Sequence, residues 1–91
     1  MDKEQVETSW AERGFSCGLW TDPPGQCWED FTHNTDEVVM VVDGKVEFEI
    51  DGKVYHPQAG DELFIPSGVL HSVRNIGSST AHWLYGYRQT R

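Results

Sequence analysis

The chain has 91 residues, with 15 acidic against 7 basic side chains and a formal net charge of −8. This length makes one small domain, residues 1–91, with a thin core, because a chain of this size buries only about two thirds of its unfolded surface; the acidity disfavours nucleic acid and anionic membranes, which call for Lys and Arg. No apolar run approaches the roughly 20 residues of a membrane helix, Met1-Asp2-Lys3-Glu4 lacks a signal-peptide core, and Cys17 and Cys27 do not make a disulfide framework, so the sequence predicts a cytoplasmic protein with free thiols.

Lys3 to Arg13 tolerates helix, with Val6 and Trp10 four apart and Gly14 as a stop. Residues 1–14 are thus expected as a short helix or as a looser arm over a barrel spanning 15–88. Phe15 to Trp20 reads as a strand with Phe15, Cys17 and Leu19 on one face, Asp22-Pro23-Pro24-Gly25 as a corner, and Gln26 to Thr32 as a second strand followed by a bend at Asn34-Thr35-Asp36. Glu37 to Val42 is apolar on both faces, which predicts burial on both. One face would fill the interior, and the other would need a cover, either the N-terminal arm or a second subunit.

Asp43-Gly44 carries a hairpin signal. After it Lys45 to Ile50 alternates, with Val46, Phe48 and Ile50 inward. Asp51-Gly52 is a second hairpin signal, from which Lys53 to His56 pairs back. Past Gly60, Leu63 and Ile65 lead into Pro66-Ser67-Gly68, a turn in which Pro fixes φ and Gly accepts φ > 0. Val69, His71 and Val73 then share one face of the next strand. Asn75 to Thr80 is a polar loop. In the last strand, Ala81 to Tyr87, one face carries Trp83, Tyr85 and Tyr87, a stripe that suits a core, an interface or the wall of a planar-ligand site. About eight short strands with regularly spaced turns predict an all-β sandwich or barrel.

Two stretches resemble the signature motifs of the cupin superfamily. Gly60, Pro66, Gly68, His71 and Asn75 match every fixed position of the second motif, and Gly25, His33, Glu37 and Gly44 match the first, with Phe31 where that motif has its first His. The resemblance implies a cupin jelly-roll β-barrel, small enough that a homodimer is expected. It assigns His33, Glu37 and His71 to metal ligation.

The residue chemistry points the same way. A bend between His33 and Glu37 can aim both side chains into one cavity, and His71 arrives from another strand. Two imidazoles and a carboxylate suit a divalent ion of Fe, Mn, Ni or Zn and leave open positions. The alternative is a buried polar network without metal, which must satisfy every member. If the second strand runs without a bulge, period-2 geometry puts Cys27 and Glu29 on the face of Phe31 and His33, where either could add a donor. Phe31, Val39, Phe48 and Val73 are expected as apolar walls for a small-molecule ligand. Three functions follow, in order: a metal-dependent enzyme (oxygenase, isomerase or lyase) on an oxygen-chelating organic substrate, a non-catalytic ligand-binding or sensor module, and a structural protein with a vestigial site.

Overall fold

The alternating apolar pattern is realised as two four-stranded antiparallel sheets facing each other, in a computed structural model that describes residues 2–89. The expected domain 1–91 and arm 1–14 reach Met1, Thr90 and Arg91, which lie outside the described residues. The elements are α1 (Lys3–Glu12), β1 (Gly18–Asp22), β2 (Cys27–Phe31), β3 (Glu37–Asp43), β4 (Val46–Ile50), β5 (Lys53–Tyr55), β6 (Glu62–Ile65), β7 (His71–Asn75) and β8 (Ala81–Tyr87). One sheet runs β1-β8-β3-β6 and the other β2-β7-β4-β5. This is a jelly-roll barrel. Among the described residues no helix is long and apolar enough to cross a membrane.

Period-2 alternation sends Val39, Val41, Val46, Phe48, Ile50, Ile65, Val73 and Trp83 into the space between the sheets, where all are buried. The opposite face of β3 has its own cover. Val38 packs with Leu84, Phe15 and Trp10 under α1, and Met40 and Val42 lie partly buried beside them. The two-sided apolar strand is therefore covered from within the chain.

Two local readings change. Phe15 makes only an isolated bridge to Arg88, and the first strand starts at Gly18 and runs on to Asp22. Asp43-Gly44 is not a hairpin: β3 bonds to β8 and β6, whereas β4 bonds to β7 and β5, so this turn carries the chain from one sheet to the other. Its chemistry is the same as a hairpin's, with Gly44 at φ 90°, and a Cβ there would sit 2.7 Å from Ala81 Cβ. Asp51-Gly52 is the true two-residue hairpin, both residues at positive φ between paired Ile50 and Lys53.

The helix is short, so it depends on docking. Asp2 caps it by accepting from the Glu4 N–H at 2.9 Å, and Glu62 on β6 accepts from Trp10 Nε1 at 2.9 Å and from both Arg13 terminal nitrogens at 2.9 and 2.6 Å. The Arg13 guanidinium, with help from the indole, holds the Glu62 carboxyl below its ordinary 4.5. A carboxyl lowered in the folded state stabilises above the ordinary value and loses that effect as pH falls through the folded value. Glu62→Gln is therefore expected to cost about 1 kcal/mol at neutral pH, the low end for such bonds because Arg13 is half exposed. The gap to wild type should close below pH 4.5, a sign that denaturant melts at several pH values check directly.

Candidate metal centre

His33, just past β2, and Glu37, the first residue of β3, stand on either side of the Asn34-Thr35-Asp36 bend. His71 opens β7 after the Pro66-Ser67-Gly68 turn. These segments are tied together. Asp36 accepts from the Ser67 N–H at 2.8 Å and from Arg88 Nε at 2.9 Å, and the Gly68 N–H donates to the His33 carbonyl at 2.8 Å. Those bonds hold the Asp36 carboxyl below its ordinary value, the Ser67 amide contributing most.

The result is one cluster in which one ligand atom from each of His33, Glu37 and His71 lies within 4.8 Å of the other two, a group that could hold a metal ion. His33 Nε2 is 2.9 Å and His71 Nε2 3.9 Å from Glu37 Oε1. His71 and Glu37 are buried, and His33 is partly so.

Hydrogen-bond accounting fixes the tautomers. His33 Nδ1 lies 2.8 Å from the Thr35 carbonyl and His71 Nδ1 3.0 Å from the Val69 carbonyl. A carbonyl only accepts, so each Nδ1 carries the proton, and each Nε2 of a neutral ring presents a lone pair. The His33 lone pair then faces a carboxylate oxygen. Two acceptors at that distance repel unless a proton or a metal ion lies between them. Backbone carbonyls behind both rings are the usual support for metal-ligating histidines. The donor set therefore fits a divalent ion. Burial pushes the Glu37 carboxyl above its ordinary 4.5, an effect that a His33 or His71 ring carrying a second proton offsets in part.

The cluster opens into a cavity of about 430 Å³. Its walls are largely aromatic: Trp20, Trp28, Phe31, Trp83, Tyr85 and Tyr87, with Val39, Ile65 and Val73 beside them. The stripe of β8 thus faces inward. The Tyr87 ring stands edge-on to His33 at 5.3 Å between centroids, and burial, then the Glu37 charge, raises its hydroxyl pKa.

Cys27 and Glu29 do not join the cluster. Trp28 pairs with Val73 and Phe31 with His71, so two residues, Glu29 and Asp30, oppose one on β7. Asp30 sits at φ 58°, with its N–H donating to Ser72 Oγ at 2.9 Å. This bulge flips the parity. Trp28 and Phe31 turn inward, Cys27 is exposed, and Glu29 lies on the outer surface, accepting from Arg74 at 2.7 and 2.8 Å. Phe48 is also displaced from its expected place. It is fully buried in the core, edge-on to Trp83 at 5.6 Å, and does not line the cavity.

Two organising acids escaped the sequence reading. The Asn34-Thr35-Asp36 bend does not by itself mark Asp36 as an organiser, nor does the Asp22-Pro23-Pro24-Gly25 corner mark Asp22, yet Asp22 is 2% exposed and its carboxylate accepts from three indole N–H groups. The signal for Asp22 lay in the tryptophans, whose indole N–H groups need partners once buried. Asn75 anchors the same corner, its Nδ2 lying 2.9–3.2 Å from the carbonyls of Asp22, Pro23 and Ser79.

Residues 18–87 match the cupin domain family model. A curated relative, "Polyketide synthase CurC" from Streptomyces cyaneus, is 33% identical over 76 residues, which are 82% of this chain and 49% of that protein. The chain thus spans about half the length of this relative. Among solved structures, the Cnp3 cupin domain of Schizosaccharomyces pombe superposes with a TM-score of 0.76 at 19% identity, over 87% of this chain and 58% of that one. An RmlC-like cupin from Shewanella frigidimarina gives 0.74 at 20%, over 86% and 68%. An oxalate oxidase gives 0.73 at 24%, over 85% and 43%. At these identities the likeness speaks for the fold alone.

Proposed function

This chain belongs to the cupin family, and on that premise we propose that it is a metal-dependent enzyme whose substrate is a planar, partly apolar molecule bearing a β-dicarbonyl or similar oxygen chelate. The observation that carries the reading is the convergence of His33 Nε2, His71 Nε2 and Glu37 Oε1 in an aromatic-walled cavity. A relative named as a polyketide synthase supports the substrate class, because alternating carbonyls are what a polyketide chain is made of.

A divalent ion of Fe, Mn, Ni or Zn held by these three residues would supply a Lewis acid, or O₂ chemistry if it is iron. Glu37 contributes the only formal negative charge among the three. The Thr35 and Val69 carbonyls keep both Nε2 lone pairs aimed inward. The indole and phenol rings take the apolar part of the substrate and exclude water from the chelating end. Phe31 contributes a ring rather than a fourth donor, tilted against Trp28 at 6.0 Å between centroids. The reaction is of oxygenase, isomerase or lyase type.

The test uses 1-phenylbutane-1,3-dione, followed by its enol absorbance, with metal-loaded and with chelator-treated protein, in air and without it. Binding at least about tenfold tighter in the loaded protein, with conversion, is expected. Equal binding with and without metal contradicts the proposal. Metal-dependent binding without conversion selects the sensor reading.

A further inference from the structure

The three tryptophans that wall the cavity share one buried anion. Asp22 Oδ1 accepts from Trp20 Nε1 and Trp28 Nε1, each at 2.9 Å, and Oδ2 accepts from Trp83 Nε1 at 3.0 Å. Asp22 does not line the cavity; the three rings do. Its described partners are neutral indoles and no cation. For stability alone this is a poor use of a buried charge, since well-packed apolar groups commonly do as well. What the arrangement does achieve is orientation. Each indole ring could rotate about its side-chain bonds, and one shared acceptor fixes three of them at once. Trp20 packs edge to face against Trp28 at 5.9 Å and 73°, and tilted against Trp83 at 6.5 Å and 49°. The corner that carries Asp22 is itself held through the Asn75 side chain.

The same arrangement limits the ligand chemistry of the wall. An indole has a single N–H donor. With all three engaged by Asp22, none is free for a ligand, and this part of the wall offers ring carbon only. A ligand that needs many hydrogen bonds, such as a sugar, would leave its hydroxyls unmet there, whereas a fused aromatic loses nothing.

We propose that Asp22 is a specificity-determining positioning residue: by gathering the indole N–H groups of Trp20, Trp28 and Trp83 it makes the cavity select a planar aromatic ligand over a polyhydroxylated one. This rests on the cavity half of the function argued above and not on its metal half. 2-Naphthol separates the two, because its single oxygen cannot chelate.

The experiment measures 2-naphthol and methyl α-glucoside binding to chelator-treated protein, by tryptophan fluorescence and by ¹⁵N-indole NMR. Wild type should bind 2-naphthol and not the glucoside, and the indole N–H signals of Trp20, Trp28 and Trp83 should stay protected from exchange whether or not 2-naphthol is bound. In Asp22→Asn, Oδ1 can keep two indoles but the amide N–H₂ opposes the third. The affinity for 2-naphthol should fall at least about tenfold, and the same three signals should move while that of Trp10, bonded to Glu62, stays. A folded Asp22→Asn that binds 2-naphthol within about twofold of wild type overturns the proposal. So does a wild type that takes the glucoside as well as 2-naphthol, or whose three indole N–H groups exchange freely, and both are read without any variant. Protein that binds 2-naphthol but never takes up metal refutes the metal reading alone. Protein that takes up metal but binds 2-naphthol without regard to Asp22 refutes this inference alone.

Discussion

Trp10→Ala is expected to lower the melting temperature by about 15 °C or more, from a loss of roughly 3–5 kcal/mol. Trp10 is 1% exposed, the largest side chain in the cluster that seals the outer face of β3, where it meets Phe15, Val38 and Leu84. It also approaches β8 where a side chain would block it: a Cβ on Gly86 would lie 2.8 Å from the indole and would collide with the Ser16 carbonyl oxygen. Truncation removes the indole, leaves a cavity over two buried strands, and strips Glu62 of one of its donors. A ten-residue helix does not persist alone, so α1 should detach and expose Val38 and Leu84. Small domains hold only about 5–10 kcal/mol in total, so this one change consumes a large share. Circular dichroism melts check it. A melting temperature within a few degrees of wild type would mean that the helix is an appendage and the barrel is sealed some other way.

Glu37→Gln is expected to act in opposite directions on metal binding and on folding. The carboxylate is the single anionic member of the cluster, and the neutral amide should weaken divalent-ion affinity by about 100-fold or more. In metal-free protein the same change should be neutral or raise stability, by up to about 1 kcal/mol or some 4–8 °C. Burial already disfavours the Glu37 charge, and the amide N–H₂ can donate to the His33 lone pair that the carboxylate opposes. Calorimetry of chelated protein and a metal titration check both halves. Loss of stability without metal would show that the carboxylate is held by the protein for its own sake.

Where the sequence was legible, the reason was a rule with a single solution. Pro66-Ser67-Gly68 can only turn, and period-2 parity after it turns His71 and Val73 to the inner face. The doubly apolar β3 demanded two covers, and the structure supplies the barrel interior and α1. The failures share a cause too. Asp43-Gly44 and Asp51-Gly52 are chemically alike, and only the long-range pairing of β4 with β7 makes the first a crossing between sheets. The bulge at Asp30 uses a non-glycine residue at positive φ, so no glycine announced it, and one inserted residue moved Trp28 in and Cys27 and Glu29 out. Asp22 was invisible because its partners are spread from Trp20 to Trp83 and come together only in the folded barrel.

If His33, Glu37 and His71 hold a divalent ion as proposed, untagged protein purified without chelator carries that ion, and its metal content reads it out. Near-stoichiometric Fe, Mn, Ni or Zn is the expected result. No bound metal, even after incubation with an excess of each ion, would contradict it and leave a buried polar cluster at the edge of an aromatic ligand cavity.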